Sequence, residues 1–111
     1  WLQTSRRPQE ACGTSWISAN YMGTLIIFSL DGGILESVNM QNGFPFGMAH
    51  PWHEQDTADF KDWKNVLQQA TEMFYDDKGR WYARTSAVKE DAEQNFNSHR
   101  TLKNYIDSMY L

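Results

Sequence analysis

The sequence predicts a single α+β domain over residues 1–111, with an antiparallel or mixed sheet of three or four strands and two main helices in the order (β)ββ–loop–αβα. Three observations predict it. An apolar run from Leu25 to Leu30 ends at Asp31-Gly32-Gly33. Apolar residues recur at steps of three and four from Phe60 to Phe74. The same spacing returns from Ala92 to Met109, after a short alternating stretch.

Residues 1–13 read as an irregular N-terminal arm, because Pro8 and Gly13 interrupt any pattern. Thr14 to Asn20 reads as a short strand, with Trp16 on one face and Ile17 and Ala19 on the other. Tyr21 to Met40 reads as a β-hairpin. Asp-Gly or Gly-Gly supplies the positive φ of a two-residue turn, and the return strand runs from Ile34 to Met40. Leu25 and Ile27 then share a face with Ile34, Val38 and Met40, while Ile26, Phe28 and Leu30 share the other with Leu35. A strand apolar on both sides lies inside a sheet and needs cover on both faces. One layer of helices covers one face, so a further segment or a second copy of the chain is expected on the other.

Residues 41–55 form a loop, because Gly43, Pro45, Gly47 and Pro51 deny it regular structure. Phe44, Phe46, Met48 and Trp52 give it enough apolar weight to pack over the sheet or to hold something. Asp56 is the expected N-cap of a helix of about five turns carrying Phe60, Trp63, Leu67, Ala70 and Phe74 on one face. Asp76-Asp77-Lys78-Gly79 ends it, with Gly79 available for a left-handed cap. Arg80 to Val88 alternates as a strand, with Trp81, Ala83, Thr85 and Ala87 on one side. From Lys89 the pattern is helical, broken near Asn97-Ser98 with Ser98 as the second cap.

Ten basic residues against fourteen acidic give a net charge of −4, which argues against a nucleic-acid binder. The one cysteine, Cys12, excludes an internal disulfide framework and suits a reducing, cytoplasmic location. No apolar run reaches eighteen residues and no signal peptide is visible, so no membrane partner is expected.

The function these residues predict is that of a non-enzymatic binding module, self-associating as a homodimer, for a small apolar ligand or a protein partner. Its surface is expected at Phe44, Phe46, His50, Trp52, His53 and Trp63. An alternative is a small metal-assisted or acid–base hydrolase. His50, His53, Glu54 and Asp56 bring two imidazoles and two carboxylates within seven residues, the donor types both chemistries use. Pro51 precludes a helical His-to-His turn, no cysteine joins the set, and His99 is remote, so no metal ligand, catalytic residue or cofactor is assigned. A second alternative is an acidic inhibitor that offers the run Glu54 to Asp77 to a basic target.

The stretch Leu25 to Gly33 resembles the first motif of the haloacid dehalogenase phosphatases, a buried strand ending in Asp-x-Asp-Gly. Asp31 matches that family's acid–base position, but Ser29 stands where the family has its nucleophilic aspartate. The stretch is read as a hairpin turn, and that phosphatase chemistry is set aside.

Overall fold

The run Leu25–Phe28 lies at the centre of the molecule, and its partners are parallel strands. The computed structural model describes residues 1–11, 13–47 and 50–110; Cys12, Met48, Ala49 and Leu111, and the expectations attached to them, lie outside the described residues. The sheet has three strands, β1 (Leu2–Gln3), β2 (Ile27–Ser29) and β3 (Phe44–Phe46), in that spatial order. Both ladders are parallel: Leu2 pairs with Ile27, and Ile27 with Phe44. This corrects the antiparallel or mixed sheet expected from the sequence. The stretch 21–40 is not a hairpin, and residues 34–40 form no return strand. Asp31-Gly32-Gly33 instead opens a crossover. Gly32 does take a positive φ of 76°, but its Cα lies against Glu10, where a Cβ would come 2.8 Å from Cγ. The chain then makes one turn of 3-10 helix, Gly33–Glu36, before β3. The N-terminal arm is likewise not wholly irregular, since Leu2–Gln3 adds the edge strand.

Both faces of β2 are covered from within the chain. On one, Ile26 and Phe28 pack with Trp16 and Ala19 and with Ile34 and Val38 from the two crossovers. Parallel crossovers of one hand in a sheet of order β1-β2-β3 fall on the same face, so these two segments meet there. The first crossover carries α1 (Ser15–Tyr21), where the sequence suggested a strand. Trp16 and Ala19 are one turn apart and point inward, and the indole N–H of Trp16 donates to the Gly13 carbonyl at 2.6 Å. On the other face Leu25 and Ile27 pack with Phe44, Phe46, Ala70 and Val88.

The covering helices are α2 (Gln55–Asp76) and α3 (Lys78–Asn95). Glu54 rather than Asp56 is the residue before α2, without a side-chain cap. Asp77 separates the two helices and caps α3 by accepting from the Arg80 backbone N–H at 3.1 Å, so Gly79 sits inside a first turn and not at a left-handed end. Arg80–Val88, expected as a strand, is the first half of α3. Its inward residues Trp81, Val88 and Ala92 follow helical steps, whereas Ala83 and Ala87 face solvent. A break at Phe96–Asn97 follows, and Asn97, not Ser98, caps α4 (Ser98–Tyr105) through the Arg100 N–H at 2.7 Å. Residues Ile106–Tyr110 extend α4 as a wider π-type turn. Among the described residues no helix is long and apolar enough to cross a membrane.

Helix α3 closes the amino edge of the sheet. The Arg84 Nη1 donates to the Gly43 carbonyl just before β3 at 2.9 Å, and its guanidinium stands 4.7 Å from the Phe44 ring centre. Burial, and then the nearby Arg80 charge, lower the Arg84 pKa from its ordinary value. Thr85 lies against Gly23, and the Tyr21 hydroxyl donates to the Phe96 carbonyl at 2.7 Å. With this end sealed by apolar and main-chain contacts, the carboxyl ends of the strands are left to polar side chains.

Candidate functional site at the carboxyl edge

In open parallel sheets, ligands bind beyond the carboxyl ends of the strands, where the loops diverge. Here β1 runs on into Thr4, Ser5 and Arg6, β2 into Leu30 and Asp31, and β3 into Gly47. The first crossover bends across this edge. Asp31 Oδ2 accepts from the Glu10 backbone N–H at 3.0 Å, and the Ser5 hydroxyl donates to Glu10 Oε2 at 2.8 Å. The Gln3 amide reaches the Ser5 hydroxyl at 3.3 Å, and the buried Ser29 hydroxyl donates to the Gln3 carbonyl at 3.5 Å. Glu10 and Asp31 are both half-buried, so two acidic residues from separate crossovers are brought together at the sheet edge through the Glu10 main chain. Arg7, on the same segment, makes no ion pair among the described residues.

The β3 side of the edge is closed by the start of α2. Gly47 (φ 80°) lets Asp59 approach so closely that a Cβ would lie 2.7 Å from its Oδ1. Asp59 accepts from the Gln55 amide at 2.6 Å, and Gln55 in turn accepts from the His50 backbone N–H at 3.1 Å. Arg6 ties the first crossover to this corner. Its Nε lies 2.9 Å from Asp56 Oδ1, its Nη2 donates to the Trp52 carbonyl at 3.2 Å, and its guanidinium stacks 3.7 Å over the Trp52 ring.

The six residues singled out by sequence do not converge on one surface. Phe44 and Phe46 point into the core beneath α2 and α3, Phe44 stacking on Trp81 at 6.2 Å between ring centres. Trp63 is half-buried on the same cluster and stacks against Phe60. His50, Trp52 and His53 are exposed around the start of α2. His53 Nε2 and Glu54 Oε1 are 3.3 Å apart, but both side chains are mostly in water, where such a pair is screened. Among the described residues no group of three or more His, Cys, Asp or Glu is placed to hold a metal ion. Gln3, Ser5, Glu10 and Asp31 were not singled out as a site. Their signal was the abrupt change from an apolar run to polar residues where a buried strand ends.

Aligned with known proteins, the chain is similar along almost its whole length to parts of two phosphorylases. It is 33% identical over 116 residues to glycogen phosphorylase of Aquifex aeolicus, covering 99% of this chain and 17% of that protein. It is 34% identical over 115 residues to maltodextrin phosphorylase of Thermococcus litoralis, covering 99% of this chain and 14% of that protein. An uncharacterized protein, MJ1631, of Methanocaldococcus jannaschii is 24% identical over 110 residues, 99% of this chain and 21% of its own length. The chain thus spans about one sixth of the length of the phosphorylases it matches. No family profile and no solved structure matches it.

Proposed function

We propose that this chain is the sugar-contacting part of a glucan phosphorylase-type enzyme, and that the carboxyl edge around Glu10 and Asp31 is where it meets the glucan. The observation that carries this reading is the identity of about one residue in three, along 99% of the chain, to two proteins named for phosphorolysis of glycogen and maltodextrin. The geometry supports it. Glucosyl hydroxyls are hydrogen-bond donors, and half-buried carboxylates fixed by neighbouring groups are strong acceptors for them. Glu10 is fixed by Ser5, and Asp31 by the Glu10 main chain. Both are therefore held before a sugar arrives, which lowers the ordering cost of binding. In phosphorolysis the glycosidic C–O bond breaks, a phosphate oxygen takes its place on the sugar carbon, and the leaving oxygen takes a proton. The side chains at this edge contribute the grip on the sugar, and Arg7 offers a cation beside it. A cytoplasmic location belongs to the same reading, in keeping with the lone Cys12.

Titration of the labelled chain with maltoheptaose, followed residue by residue by NMR, tests this. Shifts are expected at Glu10, Asp31 and Gly32, and Glu10→Gln is expected to weaken them. Silence at all three positions at millimolar sugar contradicts the reading.

Self-association as a homodimer is a second reading, favoured by one observation. The open side of β1 continues into an apolar cavity of about 400 Å³ bordered by Leu2, Leu67, Phe74, Tyr75 and Trp81, with Leu2 and Tyr75 well exposed. Sedimentation equilibrium at micromolar chain tests it: a dimer weakened by Leu2→Asp supports this reading, and a monomer refutes it.

A further inference from the structure

We infer that the cavity between α2 and α3, at the amino edge of the sheet, binds a free amino acid with an apolar side chain. The site lies at the opposite end of the strands from Glu10 and Asp31, and it stands independently of the phosphorylase reading. Its volume is about 560 Å³, within the roughly 300–1,000 Å³ of small-molecule sites. Two rows of charge border it. Glu72 and Asp76 lie one turn apart on α2, and Arg80 and Arg84 lie one turn apart on α3. Among the described residues neither carboxylate forms an ion pair with either guanidinium. Glu72 accepts instead from the Gln68 amide of its own helix at 2.8 Å, and Arg80 Nε lies 3.9 Å from Asp77 Oδ2. Met40, Pro45, Val66 and Met73 add an apolar wall beside the charges.

This pattern selects a zwitterion. A bare anion is drawn to the guanidiniums but repelled by Glu72 and Asp76, and a bare cation meets the reverse. A molecule with an ammonium and a carboxylate on one carbon satisfies both rows through charge-assisted hydrogen bonds. Arg84 is the fixed member of the set. The Gly43 carbonyl holds its Nη1 at 2.9 Å and the Phe44 ring centre lies 4.7 Å from its guanidinium, so its planar fork is ordered before a carboxylate arrives. Burial and then the Arg80 charge lower the Arg84 pKa, so a carboxylate placed beside both guanidiniums relieves their repulsion. Glu72, Asp76 and Arg80 are exposed, and their side chains turn toward the ligand without disturbing the core. The hydrocarbon part of the ligand then lies against Met40, Val66 and Met73 and leaves water there.

The test titrates the whole chain, uniformly labelled, with L-leucine at low ionic strength. Isoamylamine, which lacks the carboxylate, and 4-methylpentanoate, which lacks the ammonium, are titrated separately. Saturating NMR shifts at Gly43, Gln69 and Arg80 are expected with leucine, together with a rise in Tm, and weaker binding is expected for each of the other two. Asp76→Asn and Arg80→Gln are each expected to weaken leucine binding about two- to fivefold, the range for exposed charge pairs. Both side chains are exposed, so the variants leave the fold intact, which circular dichroism verifies. No saturating shift at these three positions at tens of millimolar leucine overturns the site. Isoamylamine or 4-methylpentanoate binding as tightly as leucine overturns the zwitterion, since one charge row alone then accounts for it. Leucine shifts that survive both substitutions unchanged overturn the assignment to these charges.

Discussion

Replacing Gly43 by Ala tests the parallel register at a point where packing and backbone effects separate. Gly43 precedes β3 and lies under the second crossover. A Cβ there would come 2.4 Å from Val38 Cγ1, 3.2 Å from Phe28 Cε1 and 3.3 Å from the Ile26 carbonyl oxygen. Val38 is buried and β-branched, so it has no free end to swing aside. Overpacking of this kind costs about 1–3 kcal/mol. Gly43 is not among the glycines with positive φ, so Ala also removes unfolded-chain entropy worth about 0.4–1 kcal/mol. The net expectation is a loss of roughly 1–2 kcal/mol, or about 4 °C in Tm per kcal/mol for a domain of this size. Gly33→Ala is the matched control. Nothing lies within 4 Å of its added carbon and its φ is not positive, so the change is expected to be neutral or stabilising by up to about 1 kcal/mol. A hairpin turn at Gly32-Gly33 predicts the reverse order, because Ala held at positive φ costs about 1–2 kcal/mol. Urea unfolding followed by tryptophan fluorescence measures both. A Gly33→Ala variant less stable than Gly43→Ala refutes the reasoning.

Phe28→Ala removes a ring buried among Trp16, Ile26, Ile34 and Val38 and is expected to cost about 3–5 kcal/mol in the same unfolding assay. Asp77→Ala removes the cap at the α2–α3 junction and is expected to cost about 0.5–2 kcal/mol, while Asp77→Asn retains most of it. Arg84→Met loses the hydrogen bond to the Gly43 carbonyl and the stacking on Phe44, with an expected loss of about 1–2 kcal/mol. A double-mutant cycle on Arg6 and Asp56 is expected to give a coupling of about 0.2–1 kcal/mol that fades in high salt, because Asp56 is mostly exposed.

Which parts of the fold were legible depended on whether the signal was local. Helix α2 was, from the three- and four-residue spacing of Phe60, Trp63, Leu67, Ala70 and Phe74, although the face it turns to the core is Trp63, Val66, Ala70 and Met73, and Phe60, Leu67 and Phe74 are exposed. Two-sided cover of the central strand was also legible. Leu25 and Ile27 serve one cluster and Ile26 and Phe28 the other, as a continuous apolar run requires. That run is also the mark of a parallel strand, but the Asp-Gly-Gly that follows is a strong local hairpin signal and outweighed it. Which strands pair with it leaves no local mark in the sequence, since Ile27 meets Leu2 and Phe44 across crossovers. Arg80–Val88 misled for a different reason. Trp81, Tyr82, Thr85 and Val88 favour strands by propensity, yet packing of Trp81 and Val88 in the cluster beneath the sheet, with Ala92 buried one turn beyond Val88, makes the stretch helical. The site was least legible. Phe44 and Phe46 read as a binding surface because Gly43, Pro45 and Gly47 deny their segment regular structure, and β-pairing turns them into core. Glu10 and Asp31, 21 residues apart, become neighbours only once β1 and β2 lie side by side.

The arrangement of β2 between two parallel neighbours is what every later inference stands on. Nuclear Overhauser contacts between the backbone protons of Ile27 and those of Leu2 and Phe44 test it most directly. Both contacts are expected, in the staggered pattern of parallel strands. Strong contacts instead from Ile27 to Glu36 or Val38, with none to Phe44, would contradict it.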